Sequence, residues 1–142
     1  MVVTETRKET QIEEVRAKVR EINAEITARG SLTLHDGKMR EEVWTPPEIL
    51  ELMKQEFKRS DGQKLHLAIL KFFNPTAAAT WKLSEYDEEA GEFFGWCDLG
   101  LGFPEFGYVS AYELRQTRLH FGLWIERDLY YTPQTFDEIT AE

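Results

Sequence analysis

Thr80-Trp81-Lys82-Leu83-Ser84-Glu85-Tyr86, Asp87-Glu88-Glu89-Ala90-Gly91 and Glu92-Phe93-Phe94-Gly95-Trp96-Cys97-Asp98-Leu99 follow one another through the middle of a 142-residue chain. The outer two segments carry rings that suit a pleated, half-buried surface, and the middle one is a polar turn closing on glycine. Together they predict a β-hairpin over 80–99. Upstream, Leu65-His66-Leu67-Ala68-Ile69-Leu70-Lys71-Phe72-Phe73 predicts a strand buried on both faces, with His66 a core histidine and Asn74-Pro75 the break. Downstream, Gly100-Leu101-Gly102-Phe103-Pro104 reads as a loop, and Ser110 with Glu113 caps a short helix reaching residue 118. Residues 123–131 form a last strand, and Thr135-Phe136-Asp137-Glu138 a last helical turn.

Ahead of this core, Ile12, Val15, Val19, Ile22 and Ile26 are spaced three, four, three and four apart, an apolar seam along one side of a helix. Thr10 with Glu13 fits a capping box, Thr6 with Glu9 offers an earlier start, and Gly30 suits the stop. Two heptads are too few to hold a free helix in water. The seam must dock, either on its own domain or on a second copy, so these five residues are the candidates for self-association. Asp36-Gly37 then predicts a hairpin turn with a returning segment over 39–44. Thr45-Pro46-Pro47-Glu48 opens a second helix, capped by Thr45, that buries Ile49, Leu50, Met53 and Phe57. The expected architecture is a single α+β domain with a mainly antiparallel sheet, flanking helices and an added N-terminal amphipathic helix. Residues 1–43 make the helix-and-hairpin extension, and 44–142 the core.

Charge is unevenly distributed. Residues 1–70 hold 12 Lys and Arg against 13 Asp and Glu, whereas 71–142 hold 5 against 13, so the second half carries nearly all of the net −9. A nucleic-acid backbone is bound by cations that displace counterions, so direct nucleic-acid binding is not expected. The opening Met1-Val2-Val3-Thr4-Glu5-Thr6-Arg7-Lys8 lacks the apolar run of a signal peptide, and no stretch approaches a membrane span; the chain reads as cytoplasmic. Cys97 is the sole cysteine and lies among apolar residues, which excludes an internal disulfide and favours a buried thiol.

Within 83–114 there are eight carboxylates and eight rings, and no Lys or Arg. Such a segment has apolar area enough to fold and a negative field left to present. Glu85, Asp87, Glu88, Glu89, Glu92 and Glu105 would supply that field, and Phe103, Phe106 and Tyr108 the desolvated anchors, for a protein partner with a basic surface.

Reaction chemistry finds less support. His35, His66 and His120 lie on separate segments, so no metal pair is predicted. The 87–92 turn lacks the alternating ligands of a calcium loop, and the glycines from Gly95 to Gly107 do not form a dinucleotide fingerprint. Ser110 sits in Tyr-Val-Ser-Ala-Tyr, not in a nucleophile elbow. No catalytic residue, metal or cofactor is assigned. In Glu126-Arg127-Asp128, strand alternation sends Arg127 away from its neighbours, towards a carboxylate of the acidic block.

Several of these residues resemble a bacterial family named domain of unknown function 2958. They are Lys71-Phe72-Phe73-Asn74-Pro75, Ala79-Thr80-Trp81, Glu85, Phe94-Gly95, Asp98-Leu99-Gly100 and Gly102, then Pro104-Glu105, Gly107-Tyr108-Val109-Ser110, Glu113-Leu114 and Glu126-Arg127-Asp128-Leu129-Tyr130. The resemblance spans about 44–139, and the helix before Trp44 looks additional. It implies a small accessory product of a plasmid, conjugative element or phage. The expectation is a non-enzymatic acidic binding protein that docks on a basic surface of a host nucleic-acid-handling or defence complex and inhibits it. The rivals are a small carboxylate- or metal-dependent enzyme built on Glu85, Asp98, Glu126 and Arg127, and a self-assembling module built on the 12–26 seam.

Overall fold

Two strands flank the acidic turn as predicted: β3 (Thr80–Asp87) and β4 (Glu92–Asp98) pair antiparallel in a computed structural model that describes residues 5–142. Met1-Val2-Val3-Thr4, part of the stretch read as lacking a signal peptide, lies outside those residues. Ser84 is an extra residue on β3, a bulge that shifts the register between Leu83 and Glu85. Opposite it, Gly95 is required by space, because a Cβ there would sit 2.6 Å from the Leu83 Cα.

The hairpin is the centre of a five-stranded antiparallel sheet. Its other members are β2 (Leu70–Phe73), β5 (Glu105–Ser110) and β6 (Glu126–Arg127), in the order β5-β4-β3-β2-β6. The run predicted as one strand over 65–73 is divided. β1 (Leu67–Ala68) leaves the main sheet and pairs with β7 (Gln134–Thr135). The division begins at His66, which adopts φ +50° and is exposed rather than a core histidine. Its amide and that of Leu65 donate to the buried carboxylate of Glu56 (3.0 and 2.9 Å), which holds the chain in that bend.

Helix α1 (Glu5–Arg29) runs to Gly30, which takes the left-handed conformation expected of a helix stop. It starts ahead of both proposed caps, and the Thr10 hydroxyl bonds back to the Thr6 carbonyl inside the helix. The Asp36-Gly37 turn forms, with Arg40 N–H donating to the Leu32 carbonyl at 2.9 Å, but the predicted return over 39–44 stops there. Thr33 and Met39 make a single bridge, and the chain winds into α2 (Glu41–Trp44). Thr45 therefore closes α2, and Pro46 rather than Thr45 precedes α3 (Pro47–Lys58). Ile49 and Met53 are buried by α3 as predicted, whereas Phe57 is exposed. Beyond β5, α4 (Ala111–Gln116) is capped by Ser110, whose hydroxyl accepts from Glu113 N–H at 3.1 Å. The strand expected over 123–131 shortens to β6. Then α5 (Phe136–Thr140) begins with a reciprocal capping box between Thr135 and Glu138.

The core lies between the sheet and helices α1 to α3. Trp44 stacks on Phe72 with centroids 4.2 Å apart, and Phe72 contacts Phe93 at 5.8 Å. Val19, Ile22 and Ile26 belong to this same core, and Ile12 and Val15 pack against it. The extension and the sheet thus form one α+β domain.

Candidate partner-binding site at an open sheet edge

Strand β5 ends the sheet, and its register with β4 decides which of its groups face outward. Ala111 N–H donates to the Gly91 carbonyl at 2.9 Å, and the pairing runs on as Val109 with Phe93, Gly107 with Gly95 and Glu105 with Cys97. In an antiparallel ladder the hydrogen-bonded pairs alternate. The backbone groups of Glu105, Gly107 and Val109 therefore turn toward β4, and those of Phe106 and Tyr108 turn away from the sheet. Among the described residues no strand lies beyond them.

Side chains on the outward-turning residues are also exposed: Phe106 is 43% and Tyr108 62% accessible, and Phe103 in the preceding loop 81%. Phe106 and Tyr108 share one sheet face with Trp96 and Phe94. Tyr108 meets Phe94 with centroids 5.0 Å apart, and Phe106 meets Phe136 of α5 at 4.7 Å. The rings are thus held from behind by packed aromatics while their outer sides stay bare. Leu99 and Leu101 in the loop after β4, and Tyr112 on α4, are exposed as well. Sequence reasoning passed over the 105–110 strand, whose two glycine-flanked rings and exposed positions give almost no inward-outward alternation.

The acids divide into two sets. Glu85, expected on the outer field, is only 8% exposed, and its carboxylate accepts from Lys64 Nζ at 3.0 Å. Lys64 also bonds the carbonyls of Glu56 and Phe57 at the end of α3, so Glu85 locks the sheet to that helix. Glu88 pairs with Lys54, which holds its carboxyl below the usual range. Asp87 accepts from Ala90 N–H within its own turn. Glu89, Glu92 and Glu105 have no ion pair among the described residues. Burial, with Glu105 adding to it, pushes the Cys97 thiol up to about 11, which disfavours the thiolate at neutral pH.

The opposite edge is built differently. Arg127 on β6 is 3% exposed, and no carboxylate pairs with it among the described residues. Its Nε donates to the Val43 carbonyl and its Nη1 to Asn23 Oδ1, both at 2.8 Å, while Nη2 has no partner. The expected pairing with the acidic block is therefore replaced by neutral acceptors from α1 and α2. Burial lowers the guanidinium to about 10. Its outward-turned amide meets Met39 Sδ at 3.3 Å, and Trp44 Nε1 donates to the Ile125 carbonyl at 3.0 Å.

Glu85, Asp98, Glu126 and Arg127 do not converge. Glu85 is tied to Lys64, Asp98 accepts from Gly100 N–H at the end of β4, and Glu126 and Arg127 project to opposite faces of β6. A cavity of about 400 Å³ between α1 and residues 129–133 is lined by Arg16, Arg20, Asn23 and Tyr131, none of them from the acidic stretch. Among the described residues, no three His, Cys, Asp or Glu side chains are grouped to hold a metal. No helix among them is long and apolar enough to cross a membrane. The seam meanwhile is covered: Val19, Ile22 and Ile26 are buried by the chain's own core. A second copy would reach them only after α1 detached.

The family described as "Protein of unknown function (DUF2958)" matches residues 45–138. The chain belongs to the DUF2958 family. No match was found among curated proteins or among solved structures. The DUF2958 match takes in the whole five-stranded sheet, both of its edges and α3 to α4. It leaves α1, the 33–39 turn and α2 outside, although Asn23, Met39, Val43 and Trp44 from that outer part cover the β6 edge. The open β5 edge lies wholly within the DUF2958 segment.

Proposed function

We propose that this chain is a non-enzymatic acidic binding protein of a mobile genetic element or phage. It docks its β5 side on a basic surface of a host nucleic-acid-handling or defence complex and inhibits that complex. The observation that carries this reading is the exposure of Phe103, Phe106 and Tyr108 in a stretch of sequence that holds no cation and includes Glu89, Glu92 and Glu105, which have no ion pair among the described residues. Exposed apolar patches backed by rigid aromatics are the usual anchors of protein interfaces, and the surrounding carboxylates select a cationic partner. Glu85 and Glu88 take no part in the contact, since lysines of the same chain already hold them.

The test is capture of the tagged protein from its natural host with nucleic acid digested, followed by direct binding to the purified captured component. Affinity is expected to fall by at least about tenfold between 50 mM and 500 mM salt, as screening weakens exposed charge. It is expected to fall similarly in the double variant Phe106→Ser with Tyr108→Ser. Affinity that ignores both changes would overturn the reading.

A further inference from the structure

We infer that β5 accepts an additional strand, supplied by a partner segment in which apolar residues alternate with Lys or Arg. The inference rests on the binding reading above and specifies how the surface is used. Strand addition needs outward-turned backbone groups that the protein itself leaves unpaired. The register places those groups on Phe106 and Tyr108, and among the described residues no hydrogen bond reaches them. The edge also lacks the devices that ordinarily blunt one. It carries no lysine, Glu105 at its start is its one charge, Pro104 stands before the strand rather than within it, and among the described residues no strand lies beyond it.

The side chains specify the incoming residues. Phe106 and Tyr108 lie on one face, where apolar partner residues would extend the row formed by Trp96 and Phe94. On the other face the middle position is Gly107, where even a Cβ would meet nothing within 4 Å. That gap gives a long cationic stem room to lie across the strand and reach Glu105, which has no ion pair among the described residues. Charge also argues against a second copy as the occupant, since pairing two β5 edges would bring two chains of net −9 together along their unneutralised sides.

The probe is an eight-residue peptide alternating lysine and valine, blocked at both ends, compared with the same peptide N-methylated at each valine. Binding to the full chain is followed by fluorescence anisotropy, and amide hydrogen exchange is read residue by residue. The expected result is slowed exchange at Phe106 and Tyr108 by at least about tenfold, and at least about tenfold weaker binding of the N-methylated peptide. Tyr108→Pro is expected to bind more weakly than Tyr108→Ala, because proline removes an outward amide without breaking the ladder to β4. Equal binding of both peptides, with exchange unchanged, would overturn strand addition and leave the charge-and-ring reading standing. No binding of either peptide would overturn both. Slow exchange at Phe106 and Tyr108 in the free chain, together with a dimeric mass, would replace the proposed partner by a second copy.

Discussion

The two edges of the one sheet are finished in opposite ways. At β6 outward groups are met from within: Met39 takes the Arg127 amide, Trp44 the Ile125 carbonyl, and Asn23 and Val43 two of the three guanidinium nitrogens, Nη2 having no partner. Nearby, Lys38 and Arg118 each lie 4.4 Å from the ring centroid of Trp124, so the aromatic surface there carries its own cations. At β5 the outward backbone of Phe106 and Tyr108 is unmet among the described residues and the outer sides of their rings are bare, while Lys82 lies further into the sheet, 5.3 Å from the Trp96 ring centroid. Because β6 is only two residues long, it depends on its cover; β5, six residues long and backed by the hairpin, does not. That difference between the two edges is what the proposed use of β5 rests on.

The strongest attempt to break this contrast is Arg127→Ala. It removes a long buried side chain and orphans the Val43 carbonyl and Asn23, and should cost about 2–5 kcal/mol in urea unfolding. Arg127→Met keeps most of the volume without the uncompensated Nη2 and should cost distinctly less. The contrast would fail if the alanine variant were as stable as the parent. At the open edge the expectation is reversed. Replacing Phe103, Phe106 and Tyr108 together by serine should cost no more than about 0.5 kcal/mol at Phe103 and about 1 kcal/mol each at Phe106 and Tyr108, which lose their contacts with Phe136 and Phe94, while partner affinity falls by about tenfold or more. A loss of stability well beyond that would mean that these rings hold the fold rather than a partner.

A smaller effect sharpens the picture away from both edges. Glu138 is held below its ordinary value, first by the Thr135 amide, then by the Thr135 hydroxyl and Arg16. A carboxyl lowered in the folded state contributes stability above its unfolded value, and that contribution is lost as pH falls through the folded value. Because the Glu138 side chain is about half exposed and solvent screens it, Glu138→Gln should cost at most about 0.5 kcal/mol at pH 7 and nothing at about pH 2, where both states are protonated. Paired unfolding curves at the two pH values check it.

Much of the architecture was legible because local signals agreed with the final packing. The 80–99 hairpin, the seam of α1 and the Ser110 cap are each set by neighbours in sequence. The misreadings share one cause: a distant group overruled the local pattern. Glu56 bends the chain at His66, α2 forms where Trp44 finds Phe72 and Ile125, and Arg127 turns to α1 and α2 instead of to an acid. For the candidate site, composition located the ring-rich stretch but could not separate Glu85, buried against Lys64, from Glu92 and Glu105. It also missed β5, since a strand at an edge with both sides partly wet shows no alternation to read.

The bond from Asn23 to Arg127 joins a residue outside the family segment to one inside it. A piece of the chain trimmed to the family boundaries would carry a guanidinium stripped of both its acceptors, Asn23 and the Val43 carbonyl, next to a trough where α1 had lain. What looks in sequence like a dispensable leader to a self-sufficient module is thus a structural stave, and its removal would expose a second sticky rim on a protein that otherwise offers one.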